Sequence, residues 1–204
     1  MKLYYTPGTC SLAVHILLQD SGLPHSLEKV DSASKSTASG QDYWTINPKG
    51  VVPLLELEDG QRLSEGPVIA QYIADRAGRT DLMPAPGDLR RYRVMEWQNF
   101  ITSELHKGFS PLFKTEFDAA AKAAAAKILR QRYEWVDQQL ADRHFLLGES
   151  FTAADAYLFV VTQWARLVKL DLSDLKHLQA FQNAVAERPA VRQAMQKEGL
   201  RQAA

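Results

Sequence analysis

After residue 88 the chain contains no run that alternates in the manner of a strand; every apolar repeat has helical spacing. Leu89 to Lys107, Asp118 to Ala141, Thr152 to Leu170 and Leu175 to Glu187 read as four helices, and Pro189 opens a short fifth. Residues 119 to 127, AAAKAAAAK, are strong helix formers and need no other meaning. Such a stretch buries its apolar stripes only by packing helix on helix, so residues 89–204 are expected to form an all-α domain. Residues 78 to 88, GRTDLMPAPGD, hold glycine and proline punctuation and few periodic apolar positions, and 79–88 reads as a linker.

Before that switch, strand-like and helix-like runs alternate. Lys2 to Tyr5 is a short β run ended by Pro7-Gly8, and Ser11 to Ser21 has helical spacing with Gly22 as its stop. Ser26 to Asp31 is a second, weaker strand, and Val51 to Leu57 a third. Asp59-Gly60 then marks a hairpin turn into Arg62 to Ser64, and Pro67 to Ala77 is helical up to Gly78. Residues 1–78 therefore predict one mixed sheet with helices.

Charge excludes several functions. Lys plus Arg and Asp plus Glu both number 24, with no basic cluster to track a phosphate backbone, so nucleic acid is not an expected partner. No run approaches the roughly 20 apolar residues of a membrane helix, and MKLYYTPG carries no apolar leader. Cys10 is the single cysteine, which fits a reducing, cytoplasmic setting. His15, His25, His144 and His177 have no partner at metal-ligand spacing, so no metal is expected.

Three local features could carry chemistry. Cys10 falls between the first strand and the first helix, where free N–H groups and the helix dipole favour a thiolate; it could equally be a small buried hydrophobe. Ser11 beside it could cap the helix or donate to a bound sulfur. Val52-Pro53 opens a strand, where proline removes a ladder donor; a cis bond there leaves the Val52 backbone available to an extended peptide-like ligand, although an ordinary edge proline is the simpler reading. Ser64-Glu65-Gly66-Pro67 leads directly into a helix, whose first N–H groups can hold a carboxylate while Glu65 takes an ammonium. A helix-start acid is more often a dipole partner alone. In the long helix, Val94, Trp97, Ile101 and Leu105 share an apolar face, and Asn99, Ser103 and His106 share a polar one, which solvent alone would explain. Thr152 and Asp155 form a capping box, for which loss of the acid predicts about 1 kcal/mol of destabilisation.

Together these stretches resemble the cytosolic glutathione transferases, and within them the bacterial beta class. YYTPGTCSLAVHI, NPKGVVPLLELEDGQRLSEGPVIAQYIAD, SELHKGFSPLF and GESFTAADAYLF carry the resemblance, which spans essentially the whole chain. It implies a thioredoxin-like first domain, a helical second domain, a homodimer, and glutathione as co-substrate with no other cofactor. It sets glutathione against Cys10, Ser11, Lys35, the Val52 backbone beside a cis Pro53, and the Glu65-Gly66 turn. It adds Asn99, Ser103, Glu104, Leu105 and His106 from the helical domain, and it makes Cys10, His106 and Lys107 the catalytic group. Tyr4 and Tyr5 stand where other classes keep a catalytic tyrosine; here Cys10 takes that place, and Tyr5 is given a supporting role at most. The activity implied is conjugation of glutathione to an apolar electrophile, thiol–disulfide exchange through Cys10, or both. A non-catalytic binding protein and a purely redox, glutaredoxin-like enzyme are the alternatives. Phe113, Tyr157 and Trp164 read as core, or as a lining for the electrophile.

Overall fold

Residues Lys2–Tyr5 form strand β1, followed by helix α1, Ser11–Ser21, and strand β2, Ser26–Lys29. A one-turn helix α2, Tyr43–Ile46, precedes β3, Leu54–Glu56, β4, Arg62–Ser64, and helix α3, Gly66–Ala77. The strands make one mixed sheet in the order β2-β1-β3-β4. β1 pairs in parallel with β2, while β1 with β3 and β3 with β4 are antiparallel. Leu3 sits opposite Leu55 at the sheet centre, and both are fully buried. The hairpin and both helix stops follow the sequence pattern. The third strand is shorter than its apolar run, because the ladder begins only after Pro53.

The computed structural model of the protein describes residues 1–200 and divides into two units. Of the described residues, one takes Met1–Met83 together with 187–200; the other is Pro84–Ala186. In the first unit α1 is nearly all buried, because it packs on α3 and also on the last helix, α9, Pro189–Lys197. Val191, Ala194 and Met195 supply the apolar face of α9. Polar links reinforce it: Arg188 pairs with Asp20 at 2.8 Å, and the buried Glu198 meets His15 Nδ1 at 2.9 Å. The chain order alone assigns α9 to the helical domain; by its packing it belongs with the sheet. Arg79 binds Asp20 and Asp81, and Leu82 and Met83 are buried, so the first half of the expected linker is part of this unit.

The second unit is all helical. Helix α4, Leu89–Phe100, runs into a π-helical segment, Ile101–His106, a 3₁₀ turn, Lys107–Phe109, and a short α5, Ser110–Phe113. The predicted straight helix to residue 107 therefore ends seven residues early, at Phe100. There the Lys107 N–H reaches back to the Thr102 carbonyl, five residues earlier, which widens the turn. Helix α6, Ala119–Gln139, packs against this region so closely that a Cβ on Gly108 would stand 3.0 Å from Leu129 Cδ1. Helix α7, Ala153–Leu167, is buried along nearly its whole length, and α8, Lys176–Ala186, completes the unit. Among the described residues no helix is long and apolar enough to cross a membrane.

The start of α7 is held by Asp155, which is fully buried. Its Oδ1 accepts from the Leu146 N–H at 2.8 Å, and its Oδ2 accepts from the Thr152 N–H and hydroxyl, each at 2.7 Å. The expected capping box is thus an interior device rather than a surface one.

Candidate functional site

Cys10 is the cap residue of α1, and its thiol is half-buried. Its Sγ donates to the Val52 carbonyl at 3.3 Å. That contact joins the first strand–helix turn to the segment before β3, 42 residues along the chain. The Val52–Pro53 peptide is cis. The Val51 carbonyl accepts from the Tyr43 hydroxyl at 2.9 Å and from Asn47 Nδ2 at 2.8 Å, so this segment is anchored from α2. Apart from the Asn47-Pro48 pair that follows it, nothing in the sequence marks α2 as an anchor.

Ser11 is fully buried. Its hydroxyl accepts from the Thr6 N–H at 3.2 Å and lies 2.9 Å from Thr9 Oγ1. The hydroxyl stiffens the loop that carries Cys10, instead of facing outward to a sulfur. The loop has a second tether: the Gly8 N–H donates to Glu198 Oε2 at 3.0 Å. Tyr5 is buried beside His15, and burial raises its hydroxyl above the usual phenol range.

Glu65 precedes α3 with φ 70° and ψ 110°, a conformation that favours glycine. Its carbonyl accepts from the N–H groups of Val68 and Ile69, both at 3.0 Å, while its side chain stays exposed. Lys49 Nζ donates to Glu65 Oε1 at 2.9 Å and to Ser64 Oγ at 3.1 Å. An ammonium thus already occupies this carboxylate, through an exposed pair worth at most about 1 kcal/mol. Sequence reasoning passed over Lys49. Gly66 comes close to Pro53: a Cβ there would meet Pro53 Cγ at 3.9 Å. Lys35 has φ 56° and donates from Nζ to the Gly50 carbonyl at 2.9 Å, next to Val51. Cys10, Val52, Pro53, Gly66 and Glu65 are therefore linked in one patch of the first unit, with Lys35 tied to the same loop.

The remaining candidates belong to the second unit. Asn99, Ser103 and Lys107 are exposed. Leu105 is fully buried, so its side chain serves the core. Glu104 pairs with Arg132 of α6 at 2.9 Å. His106 turns inward at the end of the π segment, away from the shared polar stripe that regular helical spacing predicts. Its Nδ1 lies 2.7 Å from the Tyr157 hydroxyl, and its ring meets the Trp164 ring edge-on at 4.8 Å. Burial, with a smaller push from Lys107, brings its pKa down to about 4, so the ring is neutral at pH 7. Phe109 and Phe113 continue the aromatic group through Trp164.

Residues 8–76 match the glutathione S-transferase N-terminal domain, and residues 100–189 match the glutathione S-transferase C-terminal domain. Glutathione S-transferase GstA of Escherichia coli O157:H7 is 45% identical over 98% of this chain and 100% of its own length. The chain belongs to the bacterial beta class of the glutathione S-transferases. Among solved structures, a ternary complex of BphK, a bacterial glutathione S-transferase, is 50% identical with a TM-score of 0.95. A sphingomonad glutathione S-transferase complexed with glutathione is 42% identical with a TM-score of 0.94. Each match covers 98% of this chain and 100% of the other. The thioredoxin-like first domain and helical second domain implied by the motifs are those of this transferase family. Among the described residues no group of three His, Cys, Asp or Glu side chains could hold a metal ion.

The low pKa of His106 has a measurable consequence for this transferase. The ordinary value is 6.5 and the folded value is depressed, so folding favours the neutral ring. The resulting stability is present above about pH 6.5 and is lost as pH falls through about 4. Denaturant titrations across this window are expected to show wild type losing about 3 kcal/mol more than His106→Gln, a comparison in which other groups cancel. Parallel curves for the two proteins would contradict the burial argument.

Proposed function

We propose that this transferase binds glutathione along the Cys10, Val52 and Glu65-Gly66 patch and uses it in two ways: conjugation to apolar electrophiles, and thiol–disulfide exchange through Cys10. The observation that carries the reading is the Cys10 thiol, at a helix N-terminus, on the carbonyl of Val52. An extended thiol-bearing peptide pairing with the Val52 backbone would bring its sulfur beside that of Cys10. A relative with glutathione bound, at 42% identity, supports the ligand. The Glu65 carboxylate, now holding the Lys49 ammonium, suits the ammonium of the γ-glutamyl end. Lys35 suits the glycyl carboxylate, and the family resemblance proposes Asn99, Ser103, Glu104, His106 and Lys107 as further site residues.

In conjugation the glutathione thiolate attacks the electrophilic carbon, the leaving group departs with its bonding pair, and the thiol proton goes to solvent. In exchange the Cys10 thiolate attacks the glutathionyl sulfur of a mixed disulfide and releases the other thiolate. A second glutathione then attacks the Cys10 mixed disulfide, leaving oxidised glutathione and free Cys10. The reading includes no further cofactor, a cytoplasmic setting and a homodimer, for which Leu89 and Tyr92 offer exposed apolar surface on one face of α4. Assays of the purified protein with glutathione against aryl halides, epoxides and mixed disulfides test it; no turnover with any of the three would leave only a binding protein.

Glu65→Ala is expected to weaken glutathione binding by about 2 kcal/mol, the scale for losing one partner of a desolvated charge pair. The fold should be unaffected, since the carboxylate is exposed. Calorimetry that finds unchanged affinity would remove Glu65 from the site.

A further inference from the structure

Among the described residues three other than glycine have positive φ, and Lys35 and Glu65 are two of them. The two charged side chains proposed for the ends of glutathione thus both stand on backbone that such residues adopt only when their surroundings force it. At Lys35 the forcing contacts come from Asp31. Its carbonyl accepts from the Lys35 N–H at 3.0 Å, and its own N–H donates to the Ser36 carbonyl at 2.9 Å. Its carboxylate Oδ1 accepts from the N–H groups of Ala33 and Ser34, at 3.0 and 2.7 Å, and from the Ser34 hydroxyl at 2.9 Å. On the far side, the Lys35 carbonyl accepts from the N–H of Tyr43, the first residue of α2, at 2.7 Å. The backbone is thereby held on both sides of the Lys35 Cα. The side chain then runs to the Gly50 carbonyl, with Nζ 6.0 Å from the centre of the Trp44 ring.

We propose that Asp31 is a positioning residue for glutathione: its carboxylate closes the turn that keeps Lys35 in this conformation, so the ammonium is already in place when the glycyl carboxylate arrives. The proposal rests on the reading above, in which Lys35 meets that carboxylate. A lysine on a loose loop would lose backbone and rotamer freedom on taking up a ligand, and that loss is subtracted from affinity. Here the freedom is already lost in folding. Asp31 does not attract the ligand, since its charge has the same sign as the glycyl end. It acts through the hydrogen bonds it accepts, which hold the turn. When glutathione binds, the Lys35 ammonium exchanges the Gly50 carbonyl for a carboxylate, a stronger acceptor. The device therefore serves the glycine end of the ligand alone.

Calorimetry on the full-length protein tests this with two ligands: glutathione, and its glycyl ethyl ester, which carries no charge at that end. Asp31 is exposed, so its variants should fold. Lys35→Ala is expected to weaken glutathione about tenfold and to leave the ester unchanged. Asp31→Ala should leave Lys35 in place about one time in five, and so weaken glutathione about fivefold with the ester again unchanged. It should add nothing in a Lys35→Ala background. Asp31→Asn keeps an acceptor oxygen without the charge, and should bind glutathione within about twofold of wild type. Equal losses for both ligands in Asp31→Ala, or unchanged binding of glutathione, would overturn the positioning role while Lys35 keeps its place in the site. An Asp31→Asn variant as weak as Asp31→Ala would assign the effect to charge and overturn it as well. If Lys35→Ala treats glutathione and the ester alike, the reading of Lys35 itself fails, and this proposal fails with it.

Discussion

Cys10→Ala is expected to abolish glutathione-dependent disulfide exchange, while conjugation keeps a rate within about tenfold of wild type, or about 1.4 kcal/mol in the barrier. The two reactions diverge because exchange needs a protein sulfur to carry the glutathionyl group, whereas conjugation uses the thiol of glutathione itself. Cys10 is half-buried at the first turn of α1, with Val52 O, Gly8 and Ser11 fixing its surroundings. A helix N-terminus favours its thiolate, while the Val52 carbonyl accepts from the thiol form, so glutathione pairing at Val52 should free the sulfur for reaction. Native protein incubated with oxidised glutathione should gain one glutathionyl group, reversible by a reductant, and bound glutathione should protect Cys10 from alkylation. A Cys10 that reacts with alkylating agents only after unfolding would show it to be a buried hydrophobe, and exchange by the folded protein would then need another sulfur carrier.

Asp155→Ala is expected to cost about 3 kcal/mol of stability, because it strands three buried donors at once. The capping pattern alone predicts about 1 kcal/mol, the value for an exposed helix start. The difference comes from burial: the carboxylate is fully enclosed and takes the Leu146 N–H as well as both donors of Thr152. Burial pushes its pKa up to about 6, so at neutral pH the group is ionised and accepts all three bonds. Chemical denaturation of wild type and variant measures the loss, and folded variant should keep its turnover number. Normal melting with a collapsed turnover would mean that α7 is tied to catalysis through this acid rather than to folding.

Several features of the site could be read locally. A cysteine behind Pro7-Gly8 and before a helical repeat can only sit at a strand–helix turn, and it does. Asp59-Gly60 between two β runs, and Gly66-Pro67 before an apolar repeat, likewise specify their own geometry. Other features could not be read this way. Lys49 faces Glu65 because the loop before β3 folds back over 16 residues, and nothing near Lys49 announces that. The π segment interrupts an unbroken helical pattern. It forms where the chain follows packing by α6 and α7, and it turns His106 off the stripe it shares with Asn99 and Ser103.

The sequence by itself determined the periods, the stops and the residue types: a mixed sheet before residue 78, helices after 88, one thiol, one acid at a helix start. Those follow from the backbone preferences of a few neighbouring residues, which a short window contains. Only the tertiary structure decided which side chains meet. Glu198 reaches His15 across 183 residues and brings α9 back onto α1, and Tyr157 reaches His106 across 51. Such contacts depend on how whole faces pack, which sums over the entire chain and leaves no mark on the residues beside them. The same packing desolvates His106, and so decides whether that imidazole is a cation or a neutral ring.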